Sequence, residues 1–596
     1  MLPAVKALGD YACRSESLSA ESMFIESSKL EDVKNVLCIN FEQVQGKIIY
    51  KNIFQKSFNQ KDSIKYLYRT HRRGTYDITP TSKIASPEKA KNRFKLWFKL
   101  IPSDYLKDEL LFSLKEEFLK NIDQIFNDFE KEYLAIKQDT RKNTILTVTI
   151  EEGAQIKYLG DIEIFRNILK KEGYRVFYTR KEGSKSVEAR GDGICAICGR
   201  QTEVMGFASP FSVYTFDKRG FAPNFLRKDA WKRLPLCGDC ATSLSAGKDF
   251  TDKYFYKNLY GLNFYVIPDF NFDFNDEVID TIKSPKKSYK TLLCREDDIT
   301  LIMAEKEVNL IFVFTKQKKA YFDIMRYVED VPPSWIRKIK TIEEIVYNEP
   351  IFKEPSLKLL FGQKWFGDLY NAQDLSLGKL VREFFPSSKI QGIYDKYFID
   401  ILSAILAQRK IRSSLLINAF SRTIRLSFIK GNDFSTNVLS LKSLMLILLL
   451  DKLELWNEWS NQVMDTQKED TLFSQFFEEY ENAFNTPSKR AAFLEGVLTK
   501  YLLDVQFANR GSTPFREKLF GLRLDERRVK SLFPETIQKL REYKVAYTDL
   551  EKATAKVLVD SENKGWNLTS EETSYFFALG MTLAPIFKVT EEKLEE

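Results

Sequence analysis

Apolar and polar positions change rhythm along this chain. Up to about Val331, alternating or continuous apolar runs of strand length mix with helical spacing, and from Trp335 onward the spacing turns helical. Val36–Phe41 and Lys47–Tyr50 read as strands about a Gly46 turn. Leu106, Leu110, Leu111, Phe112, Leu114, Phe118, Ile122 and Phe126 predict helix over Asp104–Lys137. A strand at Thr144–Ile150, a helix at Asp161–Lys171 and a strand at Tyr174–Tyr178 follow. Leu262–Ile267 reads as a strand, and Thr300–Ala304 with Asn309–Phe314 as a hairpin. Pro332 and Pro333 then punctuate the chain.

The most apolar run, Val438–Leu450, is interrupted by Lys442 and is shorter than the ~20 residues a bilayer span needs, so a buried helix and no membrane partner are expected. Further helices are predicted at Leu472–Ala483, Arg490–Gln506, Glu526–Phe533 (ending before Pro534), Glu535–Tyr543, Thr548–Asp560 and Glu571–Met581. The fold class this implies is an α+β N-terminal and middle region, with a four-cysteine module, followed by an all-α C-terminal helical bundle. The expected divisions are 1–190, 191–248, 249–383 and 384–596.

Composition narrows the chemistry. A chain of 596 residues has room for several domains, and its net charge of +8 permits nucleic-acid binding without demanding it. There is one histidine, His71, so Ser-His-Asp or Cys-His chemistry and multi-histidine metal sites have almost nothing to work with. Seven cysteines, and an N-terminus without a cationic start and apolar h-region, suit a reducing cytoplasm.

Four of those cysteines form two pairs, Cys195-Ala-Ile-Cys198 and Cys237-Gly-Asp-Cys240. One such turn offers a metal two thiolates and two turns complete a tetrahedron, so structural Zn²⁺ is expected on Cys195, Cys198, Cys237 and Cys240. The alternative is two independent redox dithiols, but neither pair lies beside a βαβ pattern. Gly193, Gly199 and Gly238 sit in or beside the turns. The insert between the pairs supplies apolar surface through Phe207, Phe211, Tyr214, Phe216, Phe221, Phe225 and Trp231, and cations that include Lys218, Arg219, Arg227 and Lys228.

Residues 61–100 carry eleven Lys and Arg against Asp62, Asp77 and Glu88. Lys65, Arg69, Arg72, Arg73 and Lys83 stand among tyrosines and short hydroxyls, which suits phosphate contact and base stacking, although a solvated basic face reads the same way. Arg422 and Arg425 pose the same choice in the helical region. Glu296, Asp297 and Asp298 could hold Mg²⁺ for a nuclease or another nucleic-acid-processing enzyme, yet no second acidic cluster accompanies them and a solvated turn fits as well.

The words GFASPF, YTFDKRGFAP and AWKRLPLC between the cysteine pairs resemble the zinc-bearing segment of the large subunit of type I-B CRISPR interference complexes (Cascade). RRGTYDITPTSK near the N-terminus, and FREKLFGLRLDERRVKSLFPE and GWNLTSEETSYFFALGM in the bundle, extend the likeness. The resemblance implies a non-catalytic subunit that reads a protospacer-adjacent motif and stabilises the R-loop for a recruited helicase-nuclease. It implies guide crRNA, target double-stranded DNA, the displaced single strand, and backbone and handle-capping subunits as partners. It further implies that residues 464–596 correspond to a small subunit, made separately from an internal start at Met464. A metal-dependent nuclease and a purely architectural zinc protein remain the competing readings.

Overall fold

The computed structural model describes residues 1–15, 22–70, 77–182, 185–211, 223–259, 262–269, 276, 279, 308–318, 321–358, 375–387, 393–457 and 472–593. Two compact units emerge, Met1–Phe255 with Gln317–Phe322, and Tyr256–Lys316 with Asp323–Glu596. The fold class is the expected one: mixed α and β with a cysteine cluster, then a mostly helical C-terminal part.

In the first unit β1 (Asn35–Val44) turns into β2 (Lys47–Ser57) through Gln45 and Gly46, both left-handed at φ 49° and 80°. That geometry is the tight hairpin turn whose twist matches the strands. β1 also pairs in parallel with β4 (Thr144–Glu152), Asn35 opposite Thr144. The sheet order is β2-β1-β4-β3, with β3 at Thr81–Lys83 and β5 (Gln155–Tyr158) on β4. β1 and β4 are buried almost continuously, whereas edge strand β2 mostly alternates. Strands covered on both faces carry continuous apolar runs, so the burial pattern itself marks the centre of the sheet.

α2 (Pro87–Leu100) and the pair α3 (Glu109–Lys120) and α4 (Ile122–Ala135) follow, with Phe98 stacked on Phe118 at 4.0 Å. The single helix expected over Asp104–Lys137 is thus two, broken at Asn121, whose side chain turns back to Glu117.

Tyr174–Tyr178 is not a strand. It is the last turn of α5 (Glu163–Tyr178), because Phe165, Ile168, Leu169, Gly173 and Phe177 recur at helical spacing and are all buried. The aromatic, β-branched run Val176–Tyr178 has strand propensity, and the packed helix face overrides it. The strands β6 (Arg190–Ile194) and β7 (Gln201–Met205) and the helix α6 (Gly238–Tyr254) complete this unit. α6 lies against α1 (Leu2–Ser15) at very close range. A Cβ on Gly9 would stand 1.9 Å from the Ser243 carbonyl oxygen, and one on Gly247 1.9 Å from that of Val5.

The second unit opens with a four-stranded sheet, β8 (Tyr256–Leu259), β9 (Leu262–Asp269), β10 (Asn309–Lys318) and β11 (Tyr321–Val331), in that order. The expected strand Thr300–Ala304 lies outside the described residues; β10 pairs instead with β9 and β11. α7 (Pro333–Tyr347), α8 (Leu377–Phe384), α9 (Ile393–Leu406) and α10 (Ser413–Ile429) lead into α11 (Asp433–Lys452). The apolar run Val438–Leu450 lies in α11 and is buried, and Lys442 within it pairs with Glu383 at 2.9 Å. α11 is long and apolar enough to cross a membrane, but 78% of that stretch is packed inside the protein.

α12 (Leu472–Glu479), α13 (Pro487–Arg510), α14 (Glu526–Glu542), α15 (Thr548–Lys564) and α16 (Ser570–Leu583) close the bundle. Pro534 does not divide α14, whose Val529, Leu532, Thr536 and Leu540 keep one face buried across it. α13 and α16 meet backbone to backbone: a Cβ on Gly496 would stand 2.0 Å from the Phe577 carbonyl oxygen, and one on Gly580 1.9 Å from that of Phe493.

Candidate metal centre and cationic surfaces

The two cysteine turns face each other. Cys195 and Cys198 lie between β6 and β7, where the Cys195 backbone N–H donates to the Arg200 carbonyl at 3.0 Å and the Gly199 N–H to the Cys195 carbonyl at 2.9 Å. Gly199 takes φ 69°, the left-handed conformation that a side chain would strain. Cys237 precedes α6 and Cys240 sits in its first turn. Gly238 is required by packing, since a Cβ there would stand 2.4 Å from the Tyr174 ring. The Tyr174 hydroxyl also donates to Asp239 at 2.9 Å.

All four sulfurs lie within 4.8 Å of one another, and Cys198 Sγ is 3.8 Å from Cys237 Sγ. A tetrahedron with metal–sulfur bonds of about 2.3 Å has sulfur–sulfur edges of about 3.8 Å, so the cluster has the dimensions of a four-thiolate site. Cys195, Cys237 and Cys240 are buried and Cys198 is exposed. The four cysteines could therefore hold one metal ion between them.

The electrostatics favour thiolate at one corner. Arg200 donates from Nε to Cys198 Sγ at 3.3 Å, and this bond holds the Cys198 thiol down at about 6. Burial pushes Cys237 and Cys240 up. Arg200 also pairs with Asp239 at 3.1 Å, tying one cysteine turn to the other. Lys6 on α1 contributes a second cation; burial opposes its charge, but Asp10 and its proximity to Cys240 and Cys198 hold its ammonium above the ordinary value. Arg200 directly follows the first turn in sequence, so it could have been suspected. Lys6, far away in the chain, carried no signal.

The insert only partly packs as expected. Phe207 and Phe211 are buried, and Trp231 lies on Gly191 and Gly193. Phe225 is 71% exposed and contributes no core. Tyr214, Phe216, Phe221, Lys218 and Arg219 lie outside the described residues. Arg227 is half-buried and donates to the Lys181 carbonyl, while Lys228 is exposed.

The N-terminal cations are largely engaged by the protein itself. Lys65 pairs with Asp62 at 2.9 Å and Lys83 with Asp32 at 2.5 Å. Arg69 donates to the Phe24 carbonyl at 2.8 Å and lies over its ring. His71, Arg72 and Arg73 lie outside the described residues, but both ends of their segment are held. Thr70 and Asp77 bridge, and Thr70 bonds to Glu26. In the bundle, Arg422 is exposed and donates to the Tyr394 hydroxyl, and Arg425 Nε donates to the Gly521 carbonyl at 3.1 Å. Glu296, Asp297, Asp298 and Met464 lie outside the described residues.

Three family models match in chain order. Residues 1–171 match the N-terminal domain of the CRISPR-associated protein TM1802, 192–331 its central domain, and 375–595 its C-terminal domain. No curated protein matches.

Proposed function

The chain belongs to the CRISPR-associated TM1802 family, and from that premise we propose that it is the non-catalytic large subunit of an RNA-guided interference complex of type I-B. In this reading guide–target pairing supplies sequence specificity, while the chain reads the protospacer-adjacent motif and holds the opened strands. The match of all three domains, in order, carries the reading.

The four-thiolate cluster is a structural zinc site, since soft thiolates arranged as a closed tetrahedron select zinc and leave no open coordination position for catalysis. Arg72 and Arg73 serve as the duplex contacts in this reading, and arginine suits the guanine edge. Lys65, Arg69 and Lys83 are engaged by their own partners and are not the main phosphate contacts. Guide crRNA, backbone and handle-capping subunits and a helicase-nuclease are the partners this role requires, and the cytoplasm is its setting.

Copurification tests the proposal. The tagged chain, expressed with the rest of its locus, should bring down a short guide RNA and other CRISPR subunits, and the assembly should shift a matched duplex more than one with an altered flank. A chain that purifies alone under those conditions would overturn it.

A further inference from the structure

A strained turn on the second unit presents an aromatic ring to solvent. Phe520, Gly521 and Leu522 are left-handed in succession, at φ 47°, 61° and 60°. Two of these are not glycine, and each such residue costs on the order of a kcal/mol that the surroundings must hold in place. The anchors are visible. Leu519 and Leu522 are buried on either side, the Leu522 N–H donates to the Leu519 carbonyl at 2.8 Å, and Arg425 binds the Gly521 carbonyl. With its neighbours pinned inward, Phe520 is left 63% exposed, and the Arg528 guanidinium stands 5.0 Å over its ring.

The ring does not stand alone. Ile429 touches the Gly521 position, and Leu426 lies one turn away on the same face of α10; they are 57% and 54% exposed. Residues 422–430 carry Arg422, Arg425 and Lys430 and no acid. On the turn itself and the start of α14, Arg523 and Arg527 are exposed. Among the nearby acids, Glu535 pairs with Arg528 and Lys518, Asp433 with Arg516 and Glu526 with Lys530, while Glu517 and Asp525 are exposed; the cations around the ring still outnumber them.

We propose that Phe520 is a stacking platform for an unpaired base, and that α10 together with the Phe520 turn forms a binding site for single-stranded nucleic acid. Positive charge alone would suit any polyanion, and apolar residues alone would suit a protein. An exposed ring with apolar flanks inside a cationic surface matches a strand that offers phosphates and bases together. The inference rests on the function proposed above and adds to it a residue and a ligand chemistry.

The test uses the full chain and a labelled oligo-dT strand, with the same chain on a duplex as reference. Phe520→Ala should weaken oligo-dT binding about tenfold, the order of one lost base stack, and leave the duplex unchanged; Phe520→Trp should restore it. A strand bearing 5-iododeoxyuridine should photo-crosslink to the peptide containing Phe520. Equal oligo-dT affinity of wild type and Phe520→Ala would overturn the stacking site while leaving the broader reading intact. Loss of a copurifying protein with oligo-dT affinity unchanged would also overturn it, in favour of protein docking. Failure of the wild type to bind either nucleic acid would instead remove the DNA-binding reading itself, and the site with it.

Discussion

With zinc held as proposed, its removal should release the N-terminal helix as well as the cysteine turns. α6 begins at the second cysteine pair, and α1 is docked on it at backbone range through Gly9 and Gly247. Val5, Leu8 and Tyr11 on α1 and Leu244 and Phe250 on α6 are buried, with Tyr11 edge-on to Phe250 at 5.8 Å. Burying five such side chains is worth about 10 kcal/mol at ~2 kcal/mol each, an upper value because the unfolded chain already hides some surface. That is comparable with the whole stability of a typical domain, about 5–15 kcal/mol. Structural zinc contributes on the order of 10–16 kcal/mol in small modules, enough to decide whether this packing persists.

The perturbation is Cys237→Ser with Cys240→Ser, or exhaustive chelation of the wild type. Hydrogen exchange should then show residues 2–15 and 238–254 losing protection together, with α13 of the second unit as the internal reference. The melting transition of the first unit should fall by about 10 °C or more, taking 2–4 °C per kcal/mol for a unit of this size. Full protection of α1 in a metal-free protein, with a melting temperature within about 2 °C of the holoprotein, would refute the reasoning.

Three further outcomes follow from the same geometry. Gly496→Ala forces a methyl into the Phe577 carbonyl, and because backbone cannot swing away the loss should reach about 3 kcal/mol or more, read by denaturant titration. Glu495 is fully buried between Thr499 and Thr536, and burial raises its carboxyl well above the usual 4.5. The folded state therefore keeps it neutral where the unfolded chain ionises it, and stability falls as pH rises from about 4.5 to the folded value. Glu495→Gln should consequently gain on the wild type in thermal melts as pH is raised, whereas a pH-independent difference would contradict this. Arg72→Ala with Arg73→Ala should weaken target-duplex binding by about 1–3 kcal/mol per lost base contact. Lys65→Ala, which loses a surface pair with Asp62 and a cation–π contact with Tyr158, should change it much less in the same gel-shift assay.

The sequence alone determined what depends on neighbours along the chain. Two cysteine turns, a pair of strands about Gly46, the buried character of Val438–Leu450 and the helices of the bundle are short-range patterns, and they were legible. Errors fell where local preference and packing disagree: Tyr174–Tyr178 has the composition of a strand but the burial of a helix, and Pro534 has the look of a stop in a helix whose packed face runs past it. The tertiary structure alone decided the parallel pairing of β1 with β4, the docking of α1 on the cysteine helix, the approach of Lys6 to the thiolates, and which cations are already committed. Each of these joins residues far apart in the chain. Their free energy comes from surfaces and charges that meet only after the chain has closed on itself, so no local period or motif can announce them.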